Sequence, residues 1–273
     1  MNILISVDIE GVAGVYHPEQ TRFGNPEYEQ ARRLMTAEAN AAIAGAYDGG
    51  ARQVLINDSH GRFRNMLAGE LDARAQVIQG RPRVLSMAQG VTPGVQGLCL
   101  IGYHSRAGGR GILAHTINSF AFAEVLFNGV PVGEAAIYGA VAGEYGVPVI
   151  MGSGDDVFIE ENKALFPDAL FAQTKQALGQ NSGVSLSPQA SCELIRATTS
   201  AAVSESQAIK VCAAFQKPIT VTVRATSPAM ADLFCGWPTF RRLDATQVAY
   251  EAQTTEVAMR ILNCCSAMSA SLR

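Results

Sequence analysis

The chain has 273 residues, of which 48% are hydrophobic and 16% are charged. This length and composition predict a well-buried globular enzyme, built as one large α/β domain or as a large domain with a small one, and exclude a disordered or fibrous chain. The formal net charge of −3 creates no field that would attract a polyanion, so we expect no nucleic-acid partner.

The N-terminal segment is apolar, but it lacks a basic leader and carries Asp8 and Glu10, which argues against a secretory signal. No apolar run approaches the ~18 residues that a membrane-spanning helix needs. We therefore expect a cytoplasmic protein with no membrane partner. The six cysteines form no Cys-x-x-Cys pair, which favours reduced core residues over a zinc-thiolate site.

The first predicted elements are a strand and a long helix. Residues 2–7 form a short apolar strand of the kind that is buried in a parallel sheet. A helix follows, because Asn25 can cap it, Pro26 suits its first turn and the pair Gly49-Gly50 can end it.

Further strands are predicted at ARQVLIND, GRPRVLSMA, VQGLCLIGYH and VPVIMGSGDD. The segment AEVLFNGVPVGE resembles a hairpin that turns at Asn128-Gly129, and AAIYGAVAGEYG is typical of a small-residue helix. Strands that alternate with helices predict a three-layer, doubly wound, mostly parallel α/β sheet that is covered on both faces.

A change of pattern predicts a second part of the fold. Gly179 to Gln189 is rich in turn-forming residues and is the best candidate for a linker. Beyond it, KPITVTVRA and TQVAYEAQ alternate apolar with polar residues, and TEVAMRILNCCSAM favours a closing helix. We therefore expect a catalytic α/β domain at residues 1–185 and a smaller C-terminal α+β domain at residues 186–273, with a role in substrate gating or oligomer contacts.

Three predicted strands end on residues that can bind metal, and ligands of open α/β sheets bind beyond the carboxyl ends of the strands. These residues are Asp8 and Glu10 after the first strand, Asp58 and His60 after the second, and His104 after VQGLCLIGY. Asp8 and Glu10 point to the same side of an extended chain and repel each other. A positive group must therefore lie between them.

Carboxylates and imidazoles without thiolates suit a pair of divalent ions, either zinc or its alternatives manganese and cobalt. Glu134 contributes a third carboxylate beside Asp8 and Glu10. Two dications would overcompensate these three charges and leave a positive centre that holds hydroxide. Asp8 is placed to bridge the two ions.

Each of these residues also has a structural interpretation. Asp8 and Glu10 could cap a loop or pair with arginine, and His104 could be a structural histidine. Asp58 could be a ligand, but an acceptor that orients His60 is favoured.

Other polar residues extend the set of candidates. His115 follows a glycine-rich segment and could be a further ligand or an acid/base beside the metals; the second is favoured, because two ions already have five candidate ligands. Asp155 and Asp156 are further candidates for the site, but capping of the next helix is the favoured interpretation. His17 is expected at the surface.

Five separated segments carry a resemblance to a known family. SVDIEG, NDSH, GYHSRAG, AHT and NGVPVGE occur in the order and spacing of the DppA-type D-aminopeptidases, and the chain resembles this family of binuclear zinc peptidases from residue 1 to about residue 160. The resemblance implies two zinc ions per chain, with Asp8 shared by both, and His115 as the catalytic histidine. The zinc ligands that it implies are Asp8, Glu10, His60, His104 and Glu134.

The resemblance also implies a substrate and an assembly. Members of this family cleave an N-terminal D-amino acid from short peptides, and they assemble as rings whose active sites face an inner chamber. We therefore expect a metal-dependent aminopeptidase that forms a ring-shaped homo-oligomer. His115 would either donate a proton to the departing amine or attack as a nucleophile.

Two rival functions remain at this stage. A binuclear amidohydrolase or phosphoesterase that acts on a non-peptide substrate would use the same two-metal chemistry. A peptide-binding protein associated with uptake would need no water-activating metal pair. A nucleotide-binding module is disfavoured, because the chain has neither a Gly-x-Gly-x-x-Gly segment after a strand nor a phosphate loop.

Overall fold

A computed structural model describes residues 1–206, 209–212 and 215–273 of the chain. Its strands are β1 (Asn2–Val7), β2 (Gln53–Asp58), β3 (Gln76–Ile78), β4 (Gly97–Ile101), β5 (Phe122–Phe127), β6 (Val130–Pro131), β7 (Val149–Asp155), β8 (Leu170–Gly179), β9 (Ser182–Ser185), β10 (Ile219–Ala225), β11 (Arg241–Arg242) and β12 (Gln247–Ala252). Its α-helices are α1 (Pro26–Asp48), α2 (Glu134–Glu144), α3 (Asp156–Lys163), α4 (Pro188–Glu205), α5 (Pro228–Cys235) and α6 (Thr255–Met268).

The larger sheet has the strand order β3-β2-β1-β4-β7-β8-β9. Its neighbouring strands run parallel, except that β9 returns antiparallel to β8. β1 lies in the middle, where Ile5 is opposite both Ile56 of β2 and Cys99 of β4. The predicted α/β class with a mostly parallel sheet is confirmed.

Both faces of this sheet are covered, as the uniformly apolar strands predict. Ile3, Ile5 and Val7 pack in one buried cluster with the apolar side chains of α1 and α4. Leu4 points to the opposite face and joins a second cluster that contains residues of α2, α6 and the smaller sheet. Because side chains alternate along a strand, β1 supplies both clusters.

The smaller sheet has the order β11-β12-β10-β5-β6 and is antiparallel. The hairpin predicted at Asn128-Gly129 joins β5 to β6, and both of its turn residues have positive φ angles, of 52° and 81°. β10 pairs with β5, so this sheet combines strands from both sides of residue 185. The domain division at that residue stays a prediction.

Two local predictions were wrong. GRPRVLSMA is not a strand: Ser86–Ala88 form a short 3-10 helix, and the third strand of the sheet is Gln76–Ile78 instead. The carbonyl of Met87 accepts hydrogen bonds from the side chains of Ser6 and Asn57, so this apolar segment binds side chains of the sheet and forms no ladder. The predicted linker contains β9, which pairs with β8.

Candidate metal centre

The loops after β1 and β4 meet at the carboxyl end of the large sheet. The backbone nitrogen of Gly11 donates to the carbonyl of Gly102 at 2.7 Å. A Cβ atom on Gly11 would lie 2.0 Å from the carbonyl oxygen of Tyr103, and Gly102 has a φ of +68°. Only glycine allows this close approach, and the approach brings Asp8 and Glu10 next to His104.

The structure brings together all six residues that the sequence singled out for metal and catalysis. Most of them are buried, with relative exposures of 2% for Asp8, 4% for Glu10, 2% for His104 and 5% for Glu134. Glu134 is the first residue of α2, where the positive end of the helix dipole favours a carboxylate. Its Oε1 accepts a hydrogen bond from the backbone nitrogen of Ile117 at 2.7 Å.

Asp8 lies between two imidazoles and directs one oxygen at each. His60 Nδ1 is 3.3 Å from Asp8 Oδ1 and 3.0 Å from Glu10 Oε2. His104 Nε2 is 3.4 Å from Asp8 Oδ2 and 3.5 Å from Glu134 Oε1. The pairs of distances define two adjacent sets of donors that share Asp8.

Backbone carbonyls fix the orientation of these imidazoles. His60 Nε2 lies 2.9 Å from the carbonyl oxygen of Thr21, and His104 Nδ1 lies 2.9 Å from that of Ser105. A carbonyl can only accept, so each of these nitrogens carries the proton. In a neutral imidazole the other nitrogen then presents a lone pair to the carboxylates. This arrangement is typical of histidines that bind metal.

Two buried atoms of the cluster lack a hydrogen-bond partner in the described residues, namely Glu10 Oε2 and His104 Nε2. Glu10 Oε2 is close to His60 Nδ1 but not in hydrogen-bond geometry. Buried polar atoms without a partner are costly. A cation between them would satisfy both atoms, so the residues fit a metal ion.

Two groups of ligand atoms in the described part of the chain could hold an ion, and the atoms of each group lie within 4.8 Å of one another. One group is Asp8, Glu10 and His104; the other is His104, His115 and Glu134. Both contain nitrogen and oxygen donors without cysteine, the donor set that suits zinc.

The charges of the cluster shift its pKa values strongly. Burial raises the pKa of Asp8, and repulsion from Glu10 raises it further. Burial alone would lower the pKa of His104, but the close approach and attraction of the Asp8 and Glu134 carboxylates outweigh this effect and raise the pKa well above its usual value. The pKa of His60 is raised in the same way, chiefly by Glu10, against the opposing effect of burial. A metal ion must therefore displace protons from these imidazoles.

His115 occupies a different position from the other two histidines. Its ring stacks on that of His104, with centroids 4.1 Å apart and planes 8° apart. Its Nδ1 lies 2.9 Å from the carbonyl oxygen of Leu113, and its Nε2 is 3.7 Å from Glu134 Oε1. His115 lines the cavity above the cluster, whereas His104 lies beneath its surface. His115 is therefore placed to contact a molecule in that cavity.

The cavity has a volume of about 910 Å³. Asp8, His60, His115 and Glu134 form its floor. Residues from the end of α6 and the turn after it, including Asn263 and Ser266, also line the cavity, and no sequence pattern indicated that they lie at the site. The C-terminal part therefore shapes the space in which a substrate would bind.

The expected role of Asp58 was wrong. Its carboxylate accepts hydrogen bonds from the backbone nitrogens of Asn65 and Met66, at 2.5 and 2.7 Å, while Thr21 holds the His60 ring. Asn65 Nδ2 also donates to the His60 carbonyl at 2.7 Å. Asp58 thus fixes the loop that carries His60 and does not orient the ring itself.

The other polar candidates have structural roles. Asp155 caps α3 by accepting a hydrogen bond from the backbone nitrogen of Phe158 at 2.8 Å, as the favoured interpretation predicts. Asp156 accepts a hydrogen bond from the backbone nitrogen of Ala177 at 2.8 Å. His17 is exposed and caps a short 3-10 helix, which confirms its expected surface position.

A buried lysine that the sequence did not indicate supports the loop after β1, which carries Glu10. Lys175 is only 3% exposed, and its Nζ donates to the carbonyls of Glu10 and Val15 at 2.5 and 2.6 Å. Burial lowers its pKa to about 8. The signal that could have found it is a lone lysine within the strand LFAQTKQALG.

Comparisons with known proteins identify the family of the chain. The D-aminopeptidase family model matches residues 1–264 of the chain. The chain belongs to the D-aminopeptidase family. The predicted activity of an aminopeptidase, a hydrolase, is thereby confirmed.

Two relatives have similar sequences or structures. A D-aminopeptidase of Bacillus subtilis (strain 168) is 33% identical over 219 residues, which cover 80% of this chain and 80% of the relative. The solved structure of the Zn-dependent D-aminopeptidase DppA from Bacillus subtilis, described as a self-compartmentalizing protease, matches with a TM-score of 0.94 and 29% identity. That match covers 99% of this chain and 98% of the solved one. In the described residues, no helix has the length and apolar character to cross a membrane.

Replacing Lys175 with methionine tests the support behind the cluster. Lys175→Met removes the donors to two buried carbonyls, and we expect the affinity for zinc to fall about 10-fold or more, the usual effect of losing a partner that positions a ligand. Zinc titration by calorimetry measures this. Lys163→Met is the control, because Lys163 is exposed on α3. Equal zinc affinities in the two variants would contradict the supporting role.

Proposed function

We propose that this protein is a binuclear zinc aminopeptidase that removes the N-terminal D-amino acid from short peptides. The main support for the proposal is the position of Asp8 between two imidazoles, with one carboxylate oxygen directed at His60 and the other at His104. Zinc is supported by the nitrogen and oxygen donors of the cluster and by the Zn-dependent relative. Manganese and cobalt suit the same donors.

The distances support a division of the ligands between two ions. One ion would be held by Asp8, Glu10 and His60, and the other by Asp8, His104 and Glu134. The three carboxylates bring three negative charges to this pair of dications. The centre would then carry a net positive charge, which suits the binding of an anion or of a carbonyl oxygen.

Bound zinc would supply Lewis-acid polarisation of the scissile carbonyl and lower the pKa of water at the site. The chain itself supplies the proton transfer. The carbonyl of Leu113 holds the proton of His115 on Nδ1, so Nε2 is the nitrogen that can take up a proton and deliver it to the departing amine of a substrate in the cavity. The stack on His104 fixes the plane of this ring. Nucleophilic attack by the same nitrogen is the alternative route.

The acidic floor also explains a preference for a free amino terminus. A carboxylate oxygen of Glu10 or Glu134 that is not used by metal can accept a hydrogen bond from the substrate ammonium group. The preference for D residues follows from membership of the D-aminopeptidase family. The ring-shaped homo-oligomer is proposed because the similar solved structure is described as self-compartmentalizing. A cytoplasmic location stays a prediction.

A substrate panel tests the function. The zinc-loaded protein should hydrolyse the amide and dipeptides of D-alanine and leave the L-alanine compounds intact. An aryl phosphate and a non-peptide amide, measured in parallel, represent the rival hydrolases. Hydrolysis of the phosphate ester, or no hydrolysis of any D-alanine compound with zinc, manganese or cobalt, would contradict the proposal.

Two histidine variants separate catalysis from metal binding. His115→Ala should retain its zinc and lose roughly 100-fold or more in kcat, because it removes a general acid/base without removing a ligand. His104→Ala should lose zinc. Turnover and zinc content are measured on the same samples. Loss of zinc in His115→Ala would identify His115 as a ligand instead.

A further inference from the structure

The charged residues that line the cavity are divided by sign. The acidic ones, Asp8 and Glu134, lie at the floor beside the histidines. All the other charged lining residues in the described part of the chain are arginines: Arg62, Arg81, Arg83 and Arg273. The cavity therefore has an acidic, metal-binding floor and basic side chains elsewhere on its lining.

Two of these arginines are already engaged by the protein. The guanidinium of Arg83 donates to the side-chain oxygen of Asn57 and to the carbonyls of Asp58 and Ile78, and it stacks on Phe63. The guanidinium of Arg273 lies over the ring of Phe120, 4.9 Å from its centroid. Arg83 thus has a structural role, and its hydrogen-bond donors are directed into the fold.

Arg62 and Arg81 are different. Both side chains are exposed, and neither forms an ion pair or a side-chain hydrogen bond with any residue that the structure describes. A guanidinium has five N–H donors in a planar fork that matches the geometry of a carboxylate. Of the four cavity-lining arginines, Arg62 and Arg81 are the two without a described side-chain partner, since Arg83 is hydrogen-bonded and Arg273 lies on the ring of Phe120.

The loops that carry Arg62 and Arg81 are joined to each other. The backbone nitrogen of Gly80 donates to the carbonyl of Phe63 at 2.5 Å. Arg62 precedes Phe63 in the chain and Arg81 follows Gly80, so the two arginines flank this hydrogen bond. Arg83 strengthens this link between the two loops, because its guanidinium donates to the carbonyls of Gly80 and Phe63 at 2.5 and 3.4 Å. Arg62 and Arg81 therefore extend from two loops that are hydrogen-bonded to each other.

We propose that Arg62 and Arg81 bind the C-terminal carboxylate of the substrate and so make the enzyme selective for short peptides with a free carboxyl terminus. This inference rests on the proposed function and adds a specificity to it. A short zwitterionic peptide matches the division of charge: its ammonium group and scissile carbonyl meet the floor, and its carboxylate meets the arginines. Paired guanidinium donors hold a carboxylate better than a single surface cation does.

The test compares D-alanyl-D-alanine with its C-terminal amide, because the two differ only in the charge of the terminus. The zinc-loaded wild type should favour the acid by about 10-fold or more in kcat/KM, mainly through KM. In the double variant R62Q/R81Q this preference should largely disappear, with activity on the amide within about 2-fold of the wild type. The single variants R62Q and R81Q should each lose part of the preference.

Arg64→Gln is the matched control. Arg64 is exposed in the same loop as Arg62, but it does not line the cavity and lies over the ring of Phe23. This variant removes the same charge and should keep the preference for the acid. Sodium chloride gives a second readout: it should raise KM for the acid in the wild type and have little effect in R62Q/R81Q, since screening acts on the ion pair.

Several results would overturn the proposed role of Arg62 and Arg81. Equal losses on acid and amide in R62Q/R81Q, an unchanged preference in that variant, or the same loss in R64Q would overturn the role of the arginine pair while leaving the aminopeptidase function intact. A wild type that hydrolyses acid and amide equally well would overturn it too. If the zinc-loaded wild type hydrolyses neither compound, both the pair and the proposed function fail.

Discussion

The site depends on one electrostatic constraint: buried imidazole nitrogens meet buried carboxylate oxygens, and no arginine or lysine in the described part of the chain forms an ion pair with these carboxylates. The carbonyls of Thr21 and Ser105 hold the protons of His60 and His104 on the outer ring nitrogens. The inner nitrogens face Asp8, and they present lone pairs to it when the imidazoles are neutral. Such a cluster needs either protons or metal ions to be stable. The division of Asp8 between two imidazoles favours two ions.

The rest of the fold holds this cluster in place. Parallel strands end at one edge of the sheet, so ligands from distant parts of the chain converge there. Gly11 and Gly102 allow the loops after β1 and β4 to touch, and Lys175 braces the loop of Glu10 from the buried side. The end of α6 then closes one side of the cavity, while basic side chains extend from its lining. In the proposed function, catalysis and substrate selection would use different elements of the same cavity.

The strand ends were predictable from the sequence because local patterns determine them. A short apolar run followed by Asp8 or His104 indicates both the strand and its carboxyl end, and the structure places these residues together. Pairing of β5 with β10 was not predictable, since no local pattern indicates a partner about 100 residues away in the chain. Asp58 was misinterpreted because its neighbours in sequence do not reveal that a distant carbonyl, that of Thr21, holds His60. Segment 80–88 looked like a strand, but its apolar side chains pack around a turn.

The number of bound ions distinguishes a two-metal centre from a cluster that is balanced by protons. The purified chain is dialysed to equilibrium against zinc at neutral pH, and its zinc content is measured by mass spectrometry. We expect about two zinc ions per chain, because each of the two sets of donors that share Asp8 would hold one. A zinc content well below about one ion per chain would show that protons alone balance the buried carboxylates and that the cluster is not a metal centre.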